Sequence, residues 1–153
     1  MSEFIEKLKS RRSVRSFKSE MPPKKIIDEI ISAGLYAPSG MNRQPVIIVA
    51  VTNKEMRDRL SRMNAEIMGK DVDPFYNAPV VLIVLADKAA PTYLYDGTLV
   101  MENLMLPPMM RDSEVVGFTV QRKNLKAKRA KRFSNHSVLR VTMRVSVTAL
   151  SVM

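Results

Sequence analysis

Two short, continuously apolar segments constrain the fold of this chain more than any other feature. Val46–Val51 reads VIIVAV and Pro79–Leu85 reads PVVLIVL, with no charged residue in either. An uninterrupted apolar run of this length is typical of a strand that is buried on both faces. Each run follows a stretch with helical spacing, so the sequence predicts a domain that combines helices with a small buried sheet.

Helical periodicity accounts for most of the remaining residues before position 107. Proline is tolerated in the first turn of a helix, and asparagine is a favoured N-cap, so Pro22-Pro23 and Asn53 are predicted to begin two of the helices. Pro107-Pro108 is predicted to end the last one, because proline lacks the amide donor. The predicted ranges are Ser2–Ser10, Pro22–Tyr36, Asn53–Met68 and Thr92–Leu106.

Composition sets limits on the class of protein. With 153 residues and 46% hydrophobic content, the chain suits one domain with a real core. It contains no cysteine, so we expect no disulfide framework, no thiolate chemistry and no metal site. No apolar run is long enough to span a bilayer, and the first residues lack a signal-peptide pattern. No membrane partner is expected, and the predicted location is cytoplasmic.

Two segments carry the candidate chemistry. The first, Arg11–Arg15, reads RRSVR and places three guanidinium groups around a hydroxyl. Arginine binds phosphate bidentately, but an exposed arginine pair is more often only a solvated face. The second, Ala37–Pro45, is a turn-rich stretch between a helix and a strand. Its small residues let the backbone approach a flat ligand, and Asn42 and Gln44 offer amide groups, although Pro-Ser-Gly is more often only a turn.

These two motifs, taken with two others, resemble the nitroreductase family of FMN-dependent oxidoreductases. The others are Asn77-Ala78-Pro79 before the second strand and Tyr95-Asp96-Gly97 at the start of the last helix. The four matches occur in the family's order and extend over residues 4–106. The resemblance implies an α+β fold, in which helices flank a central sheet, and a homodimer. The last predicted helix is mostly apolar, which suits a dimer core.

The resemblance also implies where FMN binds and what reaction follows. The residues that would hold its phosphate and ribityl chain are Arg11, Arg12, Ser13 and Arg15. Those that would line the flavin from the other subunit are Pro38, Ser39, Gly40, Asn42 and Gln44, and Asn64 would reach it too. In the implied ping-pong cycle, NADH or NADPH reduces FMN, and electrons then pass to a small-molecule acceptor: a nitroaromatic, a quinone or an activated alkene. The flavin carries the chemistry, so no catalytic side chain is predicted, and Asp96 and Glu102 are expected to be helix-surface charges.

Residues 107–153 differ in character from the rest. The chain has a net charge of +10, of which residues 1–106 contribute +2 and residues 107–153 contribute +8. The family continues with two alanines and a GLG-CW strand. When residues 107–121 are back-translated and read one base out of register, they can give AAHDAGLGSCWIHRA. We therefore predict a single-base deletion near the Leu106–Pro107 junction, which leaves an FMN-binding core at 1–106 and an aberrant basic tail at 107–153.

The tail also supports two competing hypotheses. Gln121–Phe133 is rich in lysine and arginine, so the chain could be a small basic nucleic-acid-binding protein. This segment has few aromatic residues for base stacking, and frame-shifted codons produce Lys and Arg automatically, so a nucleic-acid partner is less favoured than FMN. A steep salt dependence of DNA affinity would favour it, whereas a flavin spectrum would favour the oxidoreductase. In the third hypothesis, the chain is an inactive structural remnant that binds nothing.

Overall fold

A computed structural model describes residues 2–13, 15–110, 117–118 and 150–151. The helices pack with a four-stranded sheet, which confirms the predicted α+β class. The elements in chain order are α1 Glu3–Ser10, α2 Lys24–Leu35, a 3-10 turn Gly40–Asn42, β1 Val46–Val51, α3 Lys54–Met68, β2 Val81–Ala86, α4 Tyr93–Met110, β3 Gly117–Phe118 and β4 Leu150–Ser151.

The sheet has the order β1-β2-β3-β4. β1 and β2 pair antiparallel along their whole length, from Val46 opposite Ala86 to Val51 opposite Val81. β3 joins β2 in parallel at Gly117, and β4 pairs antiparallel with β3. Most of the described ladder therefore lies between the two strands that the apolar runs predict.

The two predicted strands differ in burial. β2 is buried along most of its length, as expected. β1 is not: Val49 is 37% exposed and Ala50 is exposed as well, so the prediction of burial on both faces is wrong for this strand. The physical reason is its position, because β1 is the edge strand of the described sheet and pairs on one side only.

The main core lies between α2, α4 and β2. Ile30, Leu82 and Leu104 are almost fully buried there, and each such side chain stabilises the fold by about 1.5–3 kcal/mol. Gly34 lets the two helices approach closely, since a Cβ at this position would lie 2.5 Å from Leu104 Cδ2. Asn103 Nδ2 donates to the Ala33 carbonyl at 3.1 Å. The close packing of α2 on α4 brings the connection that follows α2 over the start of α4.

α3 covers the other end of the sheet. Asn53 is its N-cap, as predicted: the side-chain oxygen accepts from the Met56 amide at 2.9 Å. The helix ends at Gly69, which adopts the left-handed conformation with φ of 65° that favours glycine. Its apolar side chains pack against a second cluster that contains Val51 and Phe75.

α4 continues past the point where the sequence predicts its end. It runs to Met110, so the prediction that Pro107-Pro108 ends the helix is wrong. Proline has a fixed φ near the helical value, so the backbone can keep helical dihedral angles there, although each proline removes an amide donor and its ring crowds the carbonyl four residues earlier. The cost in an ordinary helix interior is about 3 kcal/mol per proline.

Candidate functional site

The connection between α2 and β1 is closed by Ser39. Its carbonyl accepts from the Asn42 amide at 3.0 Å, and its hydroxyl oxygen accepts from the Gln44 amide at 3.0 Å. The Arg43 amide also donates to the Gly40 carbonyl at 3.2 Å. We call residues 38–44 the flavin loop, after the role that the sequence predicts for them. Its predicted side chains therefore sit on one closed turn.

Three residues of the flavin loop other than glycine have positive φ. The values are 55° for Met41, 52° for Asn42 and 47° for Gln44. Each such conformation costs an L-residue about 1–2 kcal/mol, and it persists where surrounding contacts over-determine the backbone. Met41 is 70% exposed and its two partners are exposed too, so the turn presents these side chains outward.

Asp96, in the first turn of α4, holds the flavin loop by a hydrogen bond. Its Oδ1 accepts from the Gly40 amide at 2.9 Å, and its Oδ2 accepts from the Thr92 hydroxyl at 2.8 Å. Asp96 is only 2% exposed, so the prediction that it is a helix-surface charge is wrong, whereas Glu102 is exposed as expected. Asp96 is buried because the flavin loop packs against the start of α4. The sequence signal that could have indicated this is the spacing of Thr92 and Asp96, a hydroxyl and a carboxylate four residues apart at the start of a helix.

Gly40 is required by this close approach. A Cβ on Gly40 would lie 2.3 Å from Thr92 Oγ1 and 2.7 Å from Thr92 Cγ2. Both atoms belong to a β-branched side chain with few rotamers, so the collision is not easily relieved. The loop backbone therefore rests directly on the start of α4.

The arginine cluster lies elsewhere, on the connection that follows α1. Arg11, Ser13 and Arg15 are exposed, and Val14 lies outside the described residues. Arg12 is exposed as well, but its Nη1 donates to the Lys9 carbonyl at 3.1 Å and the Arg11 carbonyl at 2.9 Å. Arg12 thus caps carbonyls at the end of α1, where a cation is favourable. Phosphate binding by Arg12 would have to replace these two bonds.

Within the described part of the chain, no hydrogen bond or ion pair joins the arginine cluster to the flavin loop. Asn64 occupies a third place, on α3. It is only 7% exposed, and its Nδ2 has no hydrogen-bond partner among the described residues. One copy of the chain therefore does not connect the predicted flavin residues into a single contiguous network.

Sequence reasoning missed a buried arginine on α3. Arg57 is 7% exposed; its Nε donates to the Ala78 carbonyl at 2.9 Å, and its guanidinium pairs with Asp73. The guanidinium carbon also lies 5.4 Å from the centre of the Phe75 ring. The available sequence signal was Met56, the residue before Arg57, because it begins the predicted apolar stripe of this helix. This arrangement ties α3 to the segment that leads into β2.

Asp73 is the other half of this junction. It accepts from the Ser61 hydroxyl at 2.6 Å and from the amides of Phe75 and Asn77 at 3.0 and 2.7 Å. Burial raises the pKa of the Asp73 carboxyl, but the hydrogen bonds from Arg57, Ser61 and the two amides outweigh it. The net pKa lies below the ordinary 3.8.

A groove of about 580 Å³ opens beside this junction, at the end of α3. Its walls carry both signs of charge, for example Arg62 and Lys70 beside Glu66 and Asp71. None of the predicted flavin residues lines it.

Among the described residues, no helix has the length and apolar character needed to cross a membrane.

Comparisons with known proteins identify the relatives of this chain. A model of the nitroreductase family matches residues 8–132, a range that contains both the arginine cluster and the flavin loop. The chain is 36% identical to an FMN reductase (NAD(P)H) of Bacillus subtilis over 88 residues, which cover 57% of this chain and 33% of that protein. It is 38% identical to iodotyrosine deiodinase 1 of Rattus norvegicus over 64 residues, 42% of this chain and 22% of that protein.

The chain spans about half the length, or less, of the curated relatives that it matches. Among solved structures, it superposes on a nitroreductase with bound FMN from Bacteroides fragilis with a TM-score of 0.80. That match covers 100% of this chain and 90% of the other at 20% identity. At this level of identity the similarity establishes the fold.

Proposed function

This chain belongs to the nitroreductase family, and on that premise we propose that it acts as an FMN-dependent oxidoreductase. The proposed electron donor is NADH or NADPH, and the proposed acceptor is a small nitroaromatic, quinone or activated alkene. The observation that carries the proposal is the family match itself, because residues 8–132 include every predicted flavin residue. The names of two relatives, an NAD(P)H-dependent FMN reductase and a nitroreductase with bound FMN, support the choice of cofactor and donor.

The donor chemistry of the described residues fits FMN. A phosphate group needs cationic donors, and Arg11 and Arg15 are exposed at the end of α1. A buried amide without a partner costs about 1–3 kcal/mol, and an acceptor on a ligand would satisfy Asn64 Nδ2. The flavin loop adds outward-facing Asn42 and Gln44 for polar contacts with a flat ring.

The protein residues hold and orient the cofactor in this proposal. When bound, FMN would supply the chemistry by accepting a hydride from the nicotinamide and passing electrons on to the acceptor. Arg11 and Arg15 bind the phosphate, and the Ser13 hydroxyl binds the ribityl chain or the phosphate. The flavin loop covers one face of the ring and excludes water from it. In this proposal none of the described side chains acts as a general acid or base.

We also propose that two copies of the chain form the complete site. Among the described residues, no hydrogen bond or ion pair joins the arginine cluster to the flavin loop of the same copy, which supports a site in which the loop reaches the flavin of the partner copy. α1 has an apolar face that one copy leaves open: Phe4 is 45% exposed, and Ile5 and Leu8 are each 38% exposed. An apolar face of this kind often marks a protein interface. A cytoplasmic location remains a prediction.

The single-base deletion near Leu106–Pro107 remains a proposal as well. Residues 111–116 and 119–149, which include the nucleic-acid candidate Gln121–Phe133, lie outside the described residues. The gene sequence tests the deletion directly. A restored frame that stays open and encodes the family's continuation supports it, whereas stop codons soon after the junction would rule it out.

The reaction is tested by mixing FMN-loaded protein with NADH or NADPH without oxygen. We expect the flavin absorbance to bleach with at least one donor and to return when a nitroaromatic or quinone is added. Loaded protein that neither donor reduces would contradict the proposal. A protein that fails to bind FMN but binds DNA with a steep salt dependence would support the nucleic-acid hypothesis instead.

A further inference from the structure

Asp96 is a buried carboxylate whose hydrogen-bond donors all lie at the contact between the flavin loop and α4. It is 2% exposed and makes no ion pair within the described part of the chain. The Gly40 amide donates to one oxygen and the Thr92 hydroxyl to the other. A buried carboxylate is unfavourable unless its charge is compensated, and here the amide and the positive end of α4 compensate it.

Steric contact adds a second constraint at the same point. Gly40 sits so close to Thr92 that a Cβ would fall 2.3 Å from the hydroxyl oxygen. The Asp96 amide donates to the Thr92 carbonyl at 2.9 Å, which fixes Thr92 on the first turn of α4. The backbone of the flavin loop is therefore in close contact with the start of α4.

The strained part of the loop lies between two fixed points. Gly40 is held by Asp96 on one side, and Gln44 is held by the Ser39 hydroxyl on the other. Met41, Asn42 and Gln44 keep positive φ between or at these points. A strained turn persists only while its surroundings determine it, so release of Gly40 should let the turn relax.

We propose that Asp96 is a positioning residue for the cofactor. It acts through Gly40: the carboxylate holds the flavin loop in the conformation that presents Asn42 and Gln44, and so prepares the loop for FMN before binding. This inference rests on the proposed function and deepens it. A preorganised loop binds more tightly because less conformational freedom is lost on binding.

Three variants test this role. Asp96→Ala removes both acceptor oxygens. Asp96→Asn keeps an oxygen for the Gly40 amide, and its amide group can donate to the Thr92 hydroxyl oxygen. Glu102→Gln is the matched control, because Glu102 is an exposed carboxylate on the same helix.

The first measurement is backbone amide hydrogen exchange of residues 39–44 in the protein without flavin. We expect Asp96→Ala to speed exchange there, while Asp96→Asn and Glu102→Gln stay near the wild type. The second is FMN affinity, which should fall at least about tenfold in Asp96→Ala and stay within about threefold in Asp96→Asn. Rescue by asparagine separates a hydrogen-bonded clamp from a general effect of charge.

Two results would overturn the inference. Unchanged exchange in Asp96→Ala would mean that the carboxylate does not hold the loop, and faster exchange with wild-type FMN affinity would mean that the loop does not prepare the site. Should Asp96→Ala fail to fold, Thr92→Val removes one donor at similar side-chain shape. It should loosen residues 39–44 and weaken FMN binding, and wild-type values for both would overturn the inference. Wild-type protein that binds no FMN would reject the proposed function, while the exchange measurement would still decide whether Asp96 clamps the loop.

Discussion

Arginines in two regions of this chain have opposite environments. Arg57 is buried on α3, where its donors are used by Asp73 and by the Ala78 carbonyl. Arg11 and Arg15 are exposed beyond α1. An arginine whose donors are satisfied inside the protein serves the fold, whereas exposed guanidinium groups in a cluster can still bind an anion. We therefore predict that mutation of Arg57 lowers the free energy of unfolding, whereas mutation of Arg11 and Arg15 lowers the affinity for FMN.

Replacement of the buried arginine should have the largest effect. In Arg57→Ala, Asp73 loses its cation and a buried carbonyl loses its donor, so the free energy of unfolding should fall by about 3–5 kcal/mol. Urea unfolding followed by circular dichroism measures this. The control is Arg62→Ala, an exposed arginine on the same helix. Equal losses in both variants would erase the distinction between buried and exposed arginines.

The exposed pair should show the reverse behaviour. In Arg11→Ala with Arg15→Ala, FMN affinity should fall roughly 100-fold, because two charge-assisted contacts of about 1.5 kcal/mol each are lost. Unfolding by urea should be unchanged. A variant with Lys25→Ala and Arg62→Ala removes the same charge elsewhere on the surface. An equal loss of affinity in that control would point to non-specific attraction rather than to a phosphate site.

The stability that Asp73 contributes to the buried junction should depend on pH. Asp73→Asn should lower the free energy of unfolding by about 2 kcal/mol at neutral pH, since hydrogen bonds to a charged group are lost. The pKa of folded Asp73 lies below 3.8, so its stabilisation is present above 3.8 and is lost as the pH falls through the lowered pKa. Urea unfolding at neutral pH and well below 3.8 should show the gap between variant and wild type closing. A gap that persists in acid would contradict the role of the ionised carboxylate, and Asp71→Asn, an exposed neighbour, should show little gap at either pH.

Asn64 gives the smallest predicted effect. Its buried Nδ2 has no partner among the described residues, so Asn64→Leu should leave the free energy of unfolding unchanged or raise it. FMN affinity should fall about fivefold if this amide meets the flavin, equivalent to about 1 kcal/mol. Equilibrium FMN titration and urea unfolding measure the two quantities. Unchanged FMN affinity would remove Asn64 from the site.

Local patterns in the sequence predicted the secondary structure well, because local chemistry determines it. The N-cap at Asn53 and the strand at β2 follow from residues within a few positions of each other. The position of Asp96 could not be predicted in this way, since its partner Gly40 lies 56 residues earlier in the chain. Exposure of β1 likewise depends on which strand forms the edge of the sheet, and burial of Arg57 depends on Asp73 and Ala78 folding over α3. The arginine cluster was recognised by residue type, but the two bonds that Arg12 makes to carbonyls at the end of α1 were not, since they depend on a side-chain conformation that residue type alone does not determine.

The most direct test of the central claim is an FMN titration of the purified 153-residue chain, followed by flavin fluorescence. We expect saturable binding with one FMN per chain, and much weaker binding when Arg11 and Arg15 are both replaced by alanine. A folded wild-type chain that leaves flavin fluorescence unchanged at every concentration would contradict it. In that case membership of the nitroreductase family would record ancestry without cofactor binding.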